Sequence, residues 1–303
     1  MLVEMRKAAL LILMDALFHV DYTPEMERLW HSVLNLIGFI SPGLWLVWKN
    51  APRPGYRQAR ALMDEYLLRI IRLHREHLDD PDDMISFLIK AGMSDELIRD
   101  QLMTMLIAGH DTSTAMLAWS LYLLGAHPEA QARAREEIDQ ELNGAAPNAV
   151  NTLQLRYLQQ IIDETLRLYP PIHLGSRVAA VDLEFDGFAI PKETRVLYSI
   201  FLTHRHPDYW ERPNDFDPDH FSPENKHKRE HYMFLPFGGG PRNCIGMAFA
   251  QVETRIVLAR ILQRFRLEQR GHAVHLHMGA TLEPRPGVWI QPYSRLSKGN
   301  TYG

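Results

Sequence analysis

The chain has 303 residues, 46% of them hydrophobic and 23% charged, with 33 Lys plus Arg against 37 Asp plus Glu for a formal charge of −4. That composition excludes a disordered, collagen-like or coiled-coil chain, and its charge offers no general grip on nucleic acid. Cys244 is the one cysteine, so there is no internal disulfide and no CxxC pair, and a reducing, cytoplasmic setting fits.

In chain order, the apolar stretch Ala8–Leu13 is interrupted by Asp15 and His19, which suits a buried amphipathic helix and not a secretory signal. Leu29 to Trp48 carries no Asp, Glu, Lys or Arg until Lys49, yet Ser41-Pro42-Gly43 divides it. Two short apolar helices are expected there, not a membrane span; a peripheral dip into a membrane surface is left open. Tyr56 to about Leu78 has helical spacing and ends at Asp79-Asp80-Pro81. Ser94 is placed to cap a long helix running to about Gly125, with Asp95 and Glu96 in its first turn. Pro128 suits the start of the next helix and Asn143-Gly144 its end. A further helix spans about Leu153 to Leu168, before Tyr169-Pro170-Pro171.

The pattern then changes. Val178–Val181, Leu183–Phe188 and Arg195–Ile200 read as short strands. Thr203 to Gly246 is dense in Pro, Gly, His and Asp and reads as a long irregular segment of functional kind. A helix from about Met247 to Phe265 and short strands close the chain. With no linker or repeat, residues 1–303 are expected to form a single, mainly α (α+β) domain.

The sharpest feature lies just before that last helix: Phe237-Gly238-Gly239-Gly240-Pro241-Arg242-Asn243-Cys244-Ile245-Gly246. Three glycines allow close backbone approach, and a cysteine near a helix start, with Arg242 nearby, sits where a thiolate is favoured. A buried free cysteine beside a turn is the bland alternative. A phosphate loop is a poor one, because the Lys-Ser/Thr of that motif is absent. The pattern Phe237-Gly238-x-Gly240-x-Arg242-x-Cys244-x-Gly246 resembles the heme-binding loop of the cytochrome P-450 family, the heme-thiolate monooxygenases. The resemblance implies that Cys244 is the axial ligand of heme iron, that Phe237 packs near the sulfur and that Arg242 pairs with a heme propionate.

Three further motifs, in the family's order, support it. Ala108-Gly109-His110-Asp111-Thr112-Ser113 places poor helix formers in mid-helix, inviting a local break. Alone it would be a polar spot on a buried helix. By resemblance Thr112 holds dioxygen through a hydrogen bond, Asp111 relays protons, and Ala108 and Gly109 leave room over the iron. Glu164-Thr165-Leu166-Arg167 puts a carboxylate and a guanidinium on one helix face, commonly a surface pair worth under about 1 kcal/mol. By resemblance the pair instead braces the cysteine loop. Pro213 to Phe221 resembles the meander before that loop, with His220 where many members carry Arg, able to donate to Glu164. Arg177 stands where members often bind a propionate.

The resemblance implies a cytochrome P-450 fold lacking its N-terminal portion, since members are usually longer by roughly 100 residues and no Trp-x-x-x-Arg helix precedes the long helix. It implies heme b (iron protoporphyrin IX) and insertion of one oxygen atom of O₂ into a lipophilic small molecule. The apolar pocket is expected around Ala108, Thr112, Pro171, Ile172, Leu174 and Ala280-Thr281. With no dinucleotide fingerprint, electrons are expected from a separate ferredoxin, flavodoxin or reductase. Lys226, Lys228 and Arg229 offer a basic docking surface for such a donor. Competing readings are a peroxide-using heme-thiolate enzyme and an inactive or heme-poor remnant. The histidine groups His74/His77 and His272/His275/His277 are expected to be solvated or in turns, without metal.

Overall fold

The computed structural model describes residues 1–39, 53–77, 83–228, 230, 232–271 and 273–295. The expected turn at Ser41-Pro42-Gly43, the helix end at Asp79-Asp80-Pro81 and His272 lie outside them. Two compact units are distinguished: residues 1–118 with 275–287, and residues 119–274 with 288–303.

The first unit is helical. α1 (Leu2–Phe18) buries Leu2, Met5, Ala9, Leu10, Leu13, Met14 and Phe18, the 3–4 spacing of one helix face. α2 (Met26–Gly38) packs on α3 (Tyr56–Glu76), and α4 (Met84–Lys90) is capped by Asp83, whose carboxylate accepts from the Ser86 N–H. Their apolar faces share one core with the first turns of α5 (Asp95–Ala126). The Ser94 hydroxyl accepts from the Leu97 N–H at 3.3 Å, as the sequence led us to expect. The hairpin β6 (His275–Met278) and β7 (Leu282–Arg285) completes this unit.

The expected break at Ala108–Ser113 does not occur, and α5 runs through it. The Thr112 and Thr114 hydroxyls donate to the Ala108 and His110 carbonyls at 2.7 and 2.8 Å, which satisfies them within the helix. Gly109 serves packing: a Cβ there would lie 2.5 Å from Leu13 Cδ1, so its absence lets α1 approach α5.

The second unit contains α6 (Pro128–Leu142), α7 (Arg156–Leu168), α8 (Ile200–Thr203) and α9 (Met247–Arg264), with small two-stranded antiparallel sheets. The helix expected from Leu153 begins as a separate 3₁₀ turn, Asn151–Gln154. The first expected strand is displaced: β1 is Leu174–Val178, paired with β4 (Arg195–Ser199) from Leu174↔Ser199 to Val178↔Arg195. Gly175 hid it from the pattern, and it is small because the Tyr198 ring fills the place of its side chain. Leu183–Phe188 is not one strand but a hairpin, β2 (Leu183–Phe185) and β3 (Phe188–Ile190). Asp186 and Gly187 both have positive φ, 51° and 80°, which a tight turn of this hand demands. β5 (Phe265–Arg270) pairs with β8 (Trp289–Ser294), and Gln131 of α6 ties itself to Leu267 of β5 with two 2.8 Å bonds. From 204 to 246 the described chain holds only short 3₁₀ helices, as expected for the irregular segment.

Candidate heme-thiolate site

The cysteine loop is shaped by its own backbone. Gly238 and Gly240 take φ of +76° and +67°, which side chains rarely adopt. Asn243 N–H donates to the Gly240 carbonyl, and Cys244 N–H donates to the Phe237 carbonyl at 2.9 Å. Gly246 then caps α9. The result presents Cys244 outward: its side chain is exposed, as are Arg242 and, at 89%, Ile245. An exposed apolar residue beside a soft sulfur donor is what an apolar, iron-bearing ring needs, so the residues fit heme. Phe237 is partly buried and Gly238 and Gly246 line the same bend.

The loop is tied to α7 by a chain of buried polar contacts. Arg167 is fully buried and spends all five of its N–H donors. Nε and Nη2 bind the two Glu164 oxygens at 2.7 Å each; Nη1 binds the His204 and Pro213 carbonyls, and the second Nη2 hydrogen the Asp215 carbonyl. Glu164 Oε1 also accepts from Asp217 N–H at 2.9 Å and faces His220 Nδ1 at 3.2 Å. Glu164, Arg167 and His220 thus come together as expected, but buried and not as a surface pair.

His204 was missed by the sequence reading. Its Nε2 accepts from Leu235 N–H at 2.9 Å, while its carbonyl accepts from Arg167, so it links the brace to the entry of the cysteine loop. Burial pushes its pKa down to about 3, which keeps it neutral and able to accept. Nothing in the sequence separates His204 from the other fourteen histidines, because its role depends on tertiary contacts.

In the first unit, Asp111 is only 5% exposed. Its Oδ2 accepts from the Thr281 hydroxyl at 2.7 Å, and Oδ1 lies 3.6 Å from Arg6 Nη2. Arg6 also pairs with Glu283, which binds Arg285 at 3.0 Å. A cavity of ≈ 170 Å³ is lined by Arg6, Asp111, Thr281, Glu283 and Arg285 among others. Arg6 Nε and Asp111 Oδ1 have no hydrogen-bond partner among the described residues. Arg6 and Thr281 as partners of Asp111, and Glu283 as a partner of Arg6, were not foreseen. His110 is fully buried; it bonds the Arg6 carbonyl at 2.9 Å, and burial lowers its pKa to about 4. Thr112 is partly exposed and Ala108 exposed.

Arg177 lies exposed on β1, bonded to the Ser176 carbonyl and 5.6 Å from the Tyr198 ring. Ile172 and Leu174, expected in the apolar pocket, are 41% and 45% exposed. The side chains of Lys226, Lys228 and Arg229 lie outside the described residues. Among the described residues no group of three or more His, Cys, Asp or Glu could hold a metal ion. No described helix is long and apolar enough to cross a membrane.

The family model described as Cytochrome P450 matches residues 14–289. Among curated relatives, "Cytochrome P450 97B2, chloroplastic" of Glycine max is 36% identical over 253 residues, covering 72% of this chain and 44% of that protein. "Cytochrome P450 3A13" of Mus musculus is 42% identical over 178 residues, covering 58% of this chain and 35% of that protein. The chain therefore spans less than half the length of these relatives. The crystal structure of a cytochrome P450DA heme domain superposes with a TM-score of 0.88 at 28% identity, over 97% of this chain and 68% of that one. By motif order, family match and fold, the chain belongs to the cytochrome P450 family.

Proposed function

We propose that this chain carries the heme-thiolate machinery of a monooxygenase, with residues 1–303 belonging to a single domain. The observation that supports it best is the outward Cys244 on a glycine-shaped loop, tied through His204 to a fully satisfied buried brace. Heme b is the proposed cofactor, and when bound it supplies the redox chemistry of oxygen activation and C–H oxidation. Cys244 is its ligand, with Phe237, Gly238, Gly240 and Gly246 shaping the loop around the sulfur. Arg242 and Arg177, both exposed, are the residues we assign to pair with its carboxylates.

Asp111 and Thr112 supply the proton route. The Thr112 hydroxyl now donates to Ala108 and must rotate to donate elsewhere, while its lone pairs can accept as it stands. Asp111 Oδ1, buried and 3.6 Å from Arg6 Nη2 but without a hydrogen-bond partner among the described residues, is the atom we assign to take up and pass a proton, since Oδ2 is held by Thr281. A lipophilic substrate is part of this reading; in the first unit Ala108 and Ala280 offer apolar surface for it, and in the second Ile172 and Leu174 do. A separate electron donor is part of this reading, with Lys226, Lys228 and Arg229 as its docking charges; reversing them slows reduction, and an unchanged, salt-insensitive rate counts against that surface. A reducing compartment suits a cysteine that must stay a thiolate.

Thr112→Ala tests the proton route. Heme binding persists and reductant consumption uncouples from substrate oxidation; coupling equal to that of the parent would remove Thr112 from the route.

A further inference from the structure

His220 has an acceptor at each ring nitrogen. Nδ1 faces Glu164 Oε1 at 3.2 Å, and Nε2 faces the Glu211 carbonyl at 2.8 Å. A neutral imidazole carries one N–H and one lone pair, so one of these contacts would set a lone pair against an oxygen. Glu164 is gripped at both oxygens by Arg167, which makes it an acceptor here and not a donor. A carbonyl cannot donate at all. Only the imidazolium, with a hydrogen on both nitrogens, satisfies both neighbours.

We propose that His220 is a positively charged positioning residue, a doubly donating imidazolium that clamps the segment 211–220 onto Glu164. Its surroundings support that assignment from every side that packs on it. From α7 come Glu164, which favours the charge, and Arg167, which opposes it. From the segment itself come the Glu211 carbonyl and the edge-on Trp210 ring, 5.7 Å between centroids. Arg212 and Asp217 nearby are paired with each other. Burial works against the charged form, but the hydrogen bond and charge of Glu164, helped by Glu211, outweigh it and raise the pKa. Arg at this place would be charged at every pH, whereas His releases one of its two bonds once deprotonated. The brace therefore weakens as pH rises. The clamp is independent of heme and of the proposed activity.

The test uses the full chain with ¹⁵N-labelled histidine. At pH 6–7 the His220 ring shows two protonated nitrogens by NMR and titrates above the ordinary value of about 6.5. The urea midpoint of the parent falls as pH rises through that titration. His220→Arg removes the fall across the same window, and His220→Gln is weaker throughout and equally flat. A ring that is neutral at pH 6, or a His220→Arg variant that keeps the parent's pH slope, overturns the proposal. Should His220→Gln not fold, the parent titration and the Arg variant still decide.

Discussion

Two buried charged clusters differ in how fully they are closed. Around Arg167 every donor is used, both Glu164 oxygens are filled, and the partners are mostly main-chain carbonyls of one irregular segment. Around Asp111, by contrast, Arg6 Nε and Asp111 Oδ1 have no hydrogen-bond partner among the described residues, and Arg6 and Asp111 line a cavity. A closed network can do little but hold: any change leaves a buried charge uncompensated. An open one keeps an acceptor available for water or a proton, at some cost in stability. The first therefore reads as a brace, while the second suits the proton route proposed for Asp111.

The largest effect expected from that contrast is on the brace. Arg167→Ala strips the buried Glu164 of its guanidinium, leaving it only His220 and the Asp217 N–H, and costs about 3–5 kcal/mol, a large part of a typical folding free energy of about 5–15 kcal/mol. Arg167→Lys recovers little, since an ammonium cannot reproduce five donors in one plane. Denaturant unfolding reads both; a loss under about 1 kcal/mol for Arg167→Ala would put the brace on a par with a surface pair. Arg6→Ala comes next, at about 1.5–3 kcal/mol, because Glu283 keeps Arg285 and Asp111 keeps Thr281. A cost equal to that of Arg167→Ala would erase the distinction between the clusters. Thr281→Val is the smallest, at about 1 kcal/mol for one hydrogen bond, and it frees Asp111 Oδ2.

Acid acts on both regions through buried neutral histidines. His110 and His204 have pKa values lowered to about 4 and about 3, while unfolded histidine titrates near about 6.5. The unfolded chain thus takes up protons first, so stability present above pH ~6.5 is lost as pH falls toward those folded values. Urea midpoints measured from pH 7 down to 4 should decline; a flat profile would mean these histidines are not buried neutral.

Much of this was legible in sequence where the signal is local. Helical spacing and caps located α3, α5 and α6, and the glycines, arginine and cysteine of the loop carried their own chemistry. What escaped depended on contacts between distant positions. His204 gains its role from Arg167 and Leu235, and Glu283 from Arg6. Gly175 disguised β1 because its partner Tyr198 lies across the strand pair. The mid-helix break failed for a related reason: poor helix formers point to a break, yet the threonine hydroxyls bond back within the helix.

The central claim is that Cys244 is a heme ligand on a prebuilt loop. Its most direct test is the absorption spectrum of the chain supplied with heme, reduced and exposed to carbon monoxide. The account predicts a red-shifted Soret band of thiolate type, lost in Cys244→Ser while the unfolding midpoint without heme stays the same. A parent spectrum without that band despite bound heme, or one that survives in Cys244→Ser, would contradict it.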